Sequence, residues 1–410
     1  MAESFLGPTP TLLGIEVNHR NSDNISTYDP YDLWALDVGI TVREKYYAGE
    51  TVGRMGAVAL GLLDWLVPLV SRRILDCPRR LHPITAGLLC LAESKYGEIC
   101  DREEFESFWI HTFSELATQA GNPSGAWGLG FRWMSKNGLY GPEIPFITHT
   151  PYVMEALSNI RDSRAADMLD GTWNFLNSLI VMAESESELA LSYAPVREPR
   201  IVVNANSYAA FAYALQASRE YQQQQSLDRT FKLVSWLLQR QNDDGLWWYY
   251  ADNEPGNFID CFHTCFVVKN LVKVCALIPE LESVCRPAID LGWSAIRSSF
   301  MDHQRGLCKR FAIRDFKDPF VWDLYDQAEY LGLLIDFDCL EEAASFATRV
   351  CNAFVRGSTP HARIDVFGRK WGANFLRWGI APFHYQSVRL RSAIKSRIQS
   401  NSGNISVLSF

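Results

Sequence analysis

Residues 241–264 read QNDDGLWWYYADNEPGNFIDCFHT, and the reading of this stretch with its flanks decides the fold. Upstream, Trp236, Leu237 and Leu238 end an amphipathic helical pattern, and downstream Phe266 to Leu271 form another apolar helical run. A turn-forming Asp-Gly, four aromatic residues in succession, a second aspartate and a histidine therefore lie in one helix–loop–helix connection. Loops held by rigid helices are where binding and catalytic groups concentrate. Aromatic faces beside carboxylates and an imidazole suit a sugar ring or a site that stabilises a carbocation.

The same grammar recurs outward from this stretch. Helical periodicity predicts helices over 31–48, 54–75, 83–96, 102–119, 150–161, 165–182, 204–222, 226–241, 260–276, 281–299, 321–335, 340–356 and 384–398, and no run alternates as a strand does. Glycine- and aromatic-rich loops cover 120–149, 243–259, 302–320 and 357–383. Trp127-Gly128-Leu129-Gly130-Phe131-Arg132-Trp133 is echoed by Trp371-Gly372-Ala373-Asn374-Phe375-Leu376-Arg377-Trp378, with Gly245-Leu246-Trp247-Trp248 as a third such turn. Hairpin repeats without a fixed period predict an all-α protein, a single (α/α)6-type toroid of about six helical hairpins with long aromatic loops at one end. The expected organisation is an N-terminal extension over 1–30, the toroid over 31–400 and a tail over 401–410.

Composition narrows the function. The 410 residues carry a formal net charge of −8, which argues against nucleic acid as a partner. The C-terminal part runs against that average: Arg369, Lys370, Arg377, Arg389, Arg391, Lys395 and Arg397 form a basic end that reads as a solvated face, or as a peripheral contact to a membrane or assembly complex. Ten scattered cysteines and an N-terminus (MAESFLGPTPTLLG) without a basic, then apolar, leader predict a cytoplasmic protein with reduced thiols. The apolar stretch Met55 to Val70, broken by Asp64 and Pro68, reads as a buried or interfacial helix. Two sequons, at Asn24 and Asn404, carry no weight without a secretory route.

Several constellations could carry chemistry. Asp260 and His263 stand at i and i+3 where a helix begins; they read either as an N-cap with a structural histidine, or as a general acid/base with its orienting carboxylate. Adding Cys261 makes a poor zinc set, because adjacent positions on one helix diverge, so no metal and no cofactor are expected. Tyr249 could move a proton, while Trp247, Trp248 and Tyr250 could stack on a pyranose. Asn204 and Asn206 open the next helix as caps, or as amides that bind hydroxyls or a carboxylate. Trp127, Arg132, Trp133 and His149 suit an acidic glycan. Asp323 and Asp326 favour the dipole of the helix they open or form a carboxylate pair, and Arg377, Trp378 and His384 close the set.

Leu233, Trp236, Leu237 and Gln239, followed by Gln241 through Trp247, resemble the glutamine–tryptophan motif of terpenoid cyclase and prenyltransferase toroids, where the motif is mainly structural. Over nearly the whole chain the landmarks are similar to those of bacterial toroid proteins associated with polysaccharide biosynthesis. These are Tyr28-Asp29-Pro30-Tyr31-Asp32, Trp127 to Trp133, Thr148 to Pro151, Val203 to Asn206, Asp244 to Trp247, Ile259 to Thr264 and Asp323 to Gln327. The resemblance implies a toroid acting on a glycan or glycan precursor by lyase, epimerase or hydrolase-type chemistry. Toroids similar to uronate lyases pair an asparagine with histidine and tyrosine, for which Asn206, His263 and Tyr249 or Tyr250 stand ready. Two alternatives remain open: a non-catalytic glycan-binding or scaffold subunit, and a terpenoid cyclase-like enzyme. For the latter, Asp336-Phe337-Asp338-Cys339 lacks the final aspartate of a DxDD acid.

Overall fold

The structure, a computed structural model, describes residues 25–95, 101–121, 125–136 and 138–407, with side chains as far as Ser400. The N-terminal segment MAESFLGPTPTLLG and the sequon at Asn24 lie outside the described residues, and at the second sequon only the backbone is described. Fifteen helices are present among the described residues. The first four are α1 (Asp32–Ala35), α2 (Asp37–Tyr47), α3 (Thr51–Leu66) and α4 (Pro68–Ile74). Then come α5 (Pro83–Lys95), α6 (Arg102–Gln119), α7 (Thr150–Leu157), α8 (Ser163–Ser178), α9 (Val203–Ser218) and α10 (Gln223–Leu238). The last are α11 (Cys261–Leu277), α12 (Glu282–Phe300), α13 (Leu324–Asp336), α14 (Leu340–Phe354) and α15 (Ala381–Val407).

Helices α5, α7, α9, α11, α13 and α15 pack each on the next, and α15 returns to α5, so they close an inner ring. Their composition explains the position. Every residue from Val203 to Ala217 is buried, as is every residue from Leu324 to Leu334. A helix buried all round belongs inside. Ala209, Ala210, Ala212 and Ala214 let neighbours approach α9 closely. Helices α6, α8, α10, α12 and α14 bury one face only and form the outer layer. The fold is an (α/α)6-type toroid.

Two sequence expectations need correction. First, short antiparallel strands occur within the long loops, where the sequence shows no alternation. The largest set centres on Thr359–Asp365, flanked by Lys370–Ala373, Phe320–Asp323 and Val355–Arg356. Such strands are set by tertiary pairing, which periodicity does not report. Second, 31–48 and 54–75 are each two helices. Pro68 cannot donate an N–H and pushes Val67 to φ −137°, ψ 56°, so α3 ends there. Helices α1 to α4 lie at the loop end of the ring, bonded there through Trp65 Nε1 to Asp365 (3.0 Å) and Trp371 Nε1 to the Asp64 carbonyl (2.9 Å). Of the segment expected as an extension, the described residues 25–30 are bonded to the body: Thr27 pairs with Arg80, and Asp29 with Arg377.

The lumen is filled. Lys269 of α11 meets Glu329 of α13 at 2.7 Å, and the hydroxyls of Tyr152 and Tyr208 meet at 2.7 Å. All six inner helices begin at the loop end, so their N-terminal residues converge there.

Candidate active site

Strand Ile259–Asp260 pairs with Phe311–Ile313 and delivers Asp260 in extended conformation immediately before α11. The Asp260 carboxylate makes no cap to its own helix. Asp326, from the first turn of α13, accepts the open N–H of Phe262 at 3.0 Å instead. Asp260 is thereby free to accept from Nδ1 of His263, at 2.7 and 2.9 Å. A proton placed on Nδ1 by that bond leaves Nε2 with the lone pair, and the imidazole is only partly buried. Its ring lies 4.0 Å from Phe262 and 4.6 Å from Tyr249. Burial pushes the Tyr249 phenol well up, so it keeps its proton, and the ring stacks on Phe258 at 4.7 Å.

The facing half of the mouth is built on the turn before α15. Gly379 (φ 88°) allows the sharp bend there, where a Cβ would come within 2.6 Å of the Tyr325 nitrogen. The bend presents Arg377 and Trp378. Both Arg377 Nε and Nη2 donate to Asp29, the latter at 2.6 Å. Tyr31 packs at a tilt on Trp133 (4.2 Å) and edge-on to Trp378 (5.4 Å), with the Arg377 guanidinium 4.7 Å from its ring centre. Phe262 touches Trp378 at 6.3 Å, so the two halves are continuous. Residues Tyr28 to Asp32 thus run as a strap beside the aromatic mouth, with an internal carboxylate on its arginine.

Beneath the strap, His82 and His149 precede α5 and α7, their rings 5.0 Å apart. Each has an Nε2 that meets no partner among the described residues. His149 contacts Thr148 Oγ1 at 3.1 Å, and that hydroxyl donates to Tyr193 at 2.6 Å. Burial, then the nearby Arg377 charge, lowers His149 to about 3 and holds His82 well below the usual histidine range. A cavity of about 10 Å³ lined by Asp29, His82, Thr85 and Arg377 lies here, room for one water.

The other residues singled out by sequence go elsewhere. Trp127, Trp247 and Trp371, the anchors of the three echoing turns, are buried, and each indole donates to a main-chain carbonyl: Phe113, Leu237 and Asp64 respectively. They pin loops to the core and do not reach the mouth. Trp248 is half-buried against the same core. Asn206 is committed to the backbone of Leu191 and Val202, whereas buried Asn204 leaves Oδ1 without a partner among the described residues. Arg132 is exposed and pairs with Asp37 at 2.8 Å, and Tyr250 lies under Arg200 at 3.7 Å. Asp323 is saturated by Arg363, Trp378 Nε1 and the Tyr325 N–H. Burial and the neighbouring Asp323 charge drive Asp326 well above the usual carboxylate range. His384 is half-buried, and desolvation lowers it to about 4. The Asp336-Phe337-Asp338 motif lies at the opposite end of α13, its acids paired with Arg389 and Arg397. Those pairs, with Arg369–Asp365 and Arg377–Asp29, take up four of the seven cations of the basic C-terminal region.

Sequence reasoning passed over His82 as a site residue. The signal was present: His82-Pro83 and His149-Thr150-Pro151 both put a histidine just ahead of a proline that starts an inner helix. Asp29 and Tyr31 were visible only as landmarks, because nothing local says what they face.

No protein-family model matches the chain, and no curated protein matches it in sequence. Solved structures do match in fold. A D-mannose isomerase superposes with a TM-score of 0.56 at 15% identity, covering 77% of this chain and 87% of that one. Cellobiose 2-epimerase from Bacillus thermoamylovorans gives 0.54 at 11% identity, covering 78% and 90%. An α-mannanase of Bacteroides thetaiotaomicron gives 0.50 at 11%, covering 77% and 87%. At these identities the likeness is one of fold, and these toroids belong to carbohydrate-active enzymes.

Proposed function

We propose that the protein acts on a glycan or glycan precursor and moves a proton at a carbon activated by a neighbouring carbonyl or carboxylate, the step shared by sugar epimerases, isomerases and lyases. The observation that carries this is the Asp260–His263 dyad beside the rings of Phe262 and Tyr249, with no hydrogen-bond partner for Nε2 among the described residues. His263 takes the proton at Nε2, and Asp260 holds the ring and stabilises the imidazolium that forms. Tyr249, kept protonated by burial, is the adjacent donor. Hydrolysis by a carboxylate pair fits less well, since Asp260 is bound to His263, Asp323 is saturated and Asp326 is fully buried behind the N–H of Phe262. The sugar-active toroids of like fold support the substrate class. The landmarks shared with bacterial polysaccharide-biosynthesis toroids support a cytoplasmic role in making the polymer.

The test is hydrogen exchange in D2O, read by NMR, over reducing disaccharides, uronate oligosaccharides and polyprenyl diphosphates. Deuterium entering a carbon-bound position of one glycan class with wild type, and not with His263→Gln, supports the reading. Exchange that survives in His263→Gln refutes it. A second reading, a glycan-binding scaffold, draws on the strap, because Asp29 already satisfies Arg377 and leaves a cavity of only about 10 Å³ beside it. Binding without exchange, equal in wild type and His263→Gln, would select it.

A further inference from the structure

Helices α3 and α4 carry a run of exposed apolar side chains. Met55, Val58, Leu62 and Leu66 follow one another at helical spacing along α3, and Val70 and Ile74 continue the exposed series on α4. Ile74 is 76% exposed and Met55 68%. Scattered apolar residues need no explanation, but a continuous series of this size marks an interaction surface. The polar side of α3 is the unusual one: Asp64 is turned inward onto Arg72 at 2.6 Å, and Trp65 is tied to Asp365. Both helices are therefore held with their apolar side outward.

The charges indicate what covers it. Between Thr51 and Leu75 the ionisable residues are Arg54, Asp64, Arg72 and Arg73. The Asp64–Arg72 pair is buried, which leaves two exposed arginines and no exposed acid in the stretch, in a chain whose net charge is −8. The tip of the hairpin at 365–370 extends the surface: Phe367 is 73% exposed and stacks on Trp65 at 5.9 Å. Apolar side chains flanked by aromatics and arginines match the interface of an anionic bilayer. Length sets the mode. Helix α3 has 16 residues, about 24 Å, short of a hydrocarbon core of roughly 30 Å, and α4 departs from it at 113°. Among the described residues no single helix is long and apolar enough to cross a membrane. A groove of about 310 Å³ between α2 and α3, lined by Val38, Val42 and Val52 with Asp37 and Lys45, adjoins the same face.

We propose that the α3–α4 face lies in the surface of an anionic lipid bilayer, its apolar side chains among the acyl chains and Arg54 and Arg73 at the headgroups. The surface adjoins the mouth directly, because Arg72 donates to the Asp29 carbonyl at 2.8 Å and Asp29 holds Arg377. The proposal is independent of the proton-transfer chemistry.

The test is flotation of the full chain with phosphatidylcholine vesicles, with and without phosphatidylglycerol. Wild type is expected to float with the anionic vesicles. Leu62→Glu combined with Leu66→Glu should abolish flotation, and Arg54→Ser with Arg73→Ser should weaken it roughly 20- to 30-fold. All four positions are exposed, so thermal melting should be unchanged, which separates lost binding from lost folding. Absence of flotation with either vesicle overturns the proposal, as does flotation that survives the glutamates. A wild-type dimer in light scattering that the glutamates turn into monomer, with no vesicle binding, overturns it in favour of a second copy of the chain.

Discussion

The two buried histidines beneath the strap make a quantitative prediction about pH. In the folded protein His149 is lowered to about 3 and His82 lies well below the usual range, while an unfolded histidine titrates near 6.5. Between those values the unfolded chain binds one more proton per histidine than the folded one. The stability due to keeping them neutral is therefore fully present above about pH 6.5 and declines as the pH falls toward the folded value. At about pH 5 the loss is about 2 kcal/mol for His149, and His82 adds to it in the same direction, a large part of the roughly 5–15 kcal/mol that holds a domain together. Asp32 acts in the opposite sense: burial raises it to about 7, so its contribution is present in acid and lost as the pH rises through that value. The assay must cancel it. Urea unfolding of wild type and of His82→Gln/His149→Gln, at neutral pH and at about pH 5, does so, because Asp32 is common to both. The glutamine protein starts less stable, owing to imperfect packing, and wild type should then lose at least about 2 kcal/mol more than the variant on acidification. Parallel loss in the two proteins would mean that the folded histidines are charged, and the account of the site beneath the strap would be wrong.

Other consequences are as direct. His263→Gln should lower kcat at least about 100-fold with little change in KM, and Asp260→Asn should lower it by a comparable factor through loss of the tautomer, both read in the exchange assay. Asp29→Asn leaves Arg377 buried without its anion and should cost about 3–5 kcal/mol, seen as a drop in melting temperature that small carboxylates partly restore. Gly379→Ala forces a side chain into a left-handed backbone against the Tyr325 nitrogen and should cost roughly 2 kcal/mol or more by urea unfolding, with loss of activity as Arg377 and Trp378 shift.

What could be read in the sequence follows from which forces are local. Outer helices such as Gln223–Leu238 appear at their expected places because one-sided burial leaves a period of 3.6, whereas the inner Val203–Ser218, buried all round, shows as an apolar run of helical length rich in alanine. Asp260 and His263 were legible as a pair because they are three apart on one helix. Whether the aspartate caps its helix or holds the imidazole was not legible. That choice is made by Asp326, 64 positions beyond Phe262, which takes the cap's place at the Phe262 N–H. The aromatic turns show the converse. Trp127, Trp247 and Trp371 look like a stacking surface in the sequence, and their indoles serve as bolts into main-chain carbonyls. A tryptophan beside a glycine reports a tight loop; which way the ring points depends on the neighbour it lands on.

The convergence of six helix starts gives the mouth an electrical asymmetry that bears on how it handles a ligand. Each start carries roughly half a positive charge from unpaired N–H groups. On the side of α11 and α13 the carboxylates of Asp260 and Asp323 answer that charge. The starts of α5, α7 and α15 bring His82 and His149, both held neutral, and Arg377. That half is left positive, and the anion it holds is Asp29, from the strap. A ligand's own carboxylate or phosphate would be drawn to the same place and would have to displace Asp29 from Arg377. Its reacting carbon would then lie toward the dyad, where a lone pair is held ready on His263 and a proton on Tyr249. Anchoring and chemistry are thus divided between the two halves, with Phe262 against Trp378 where they meet.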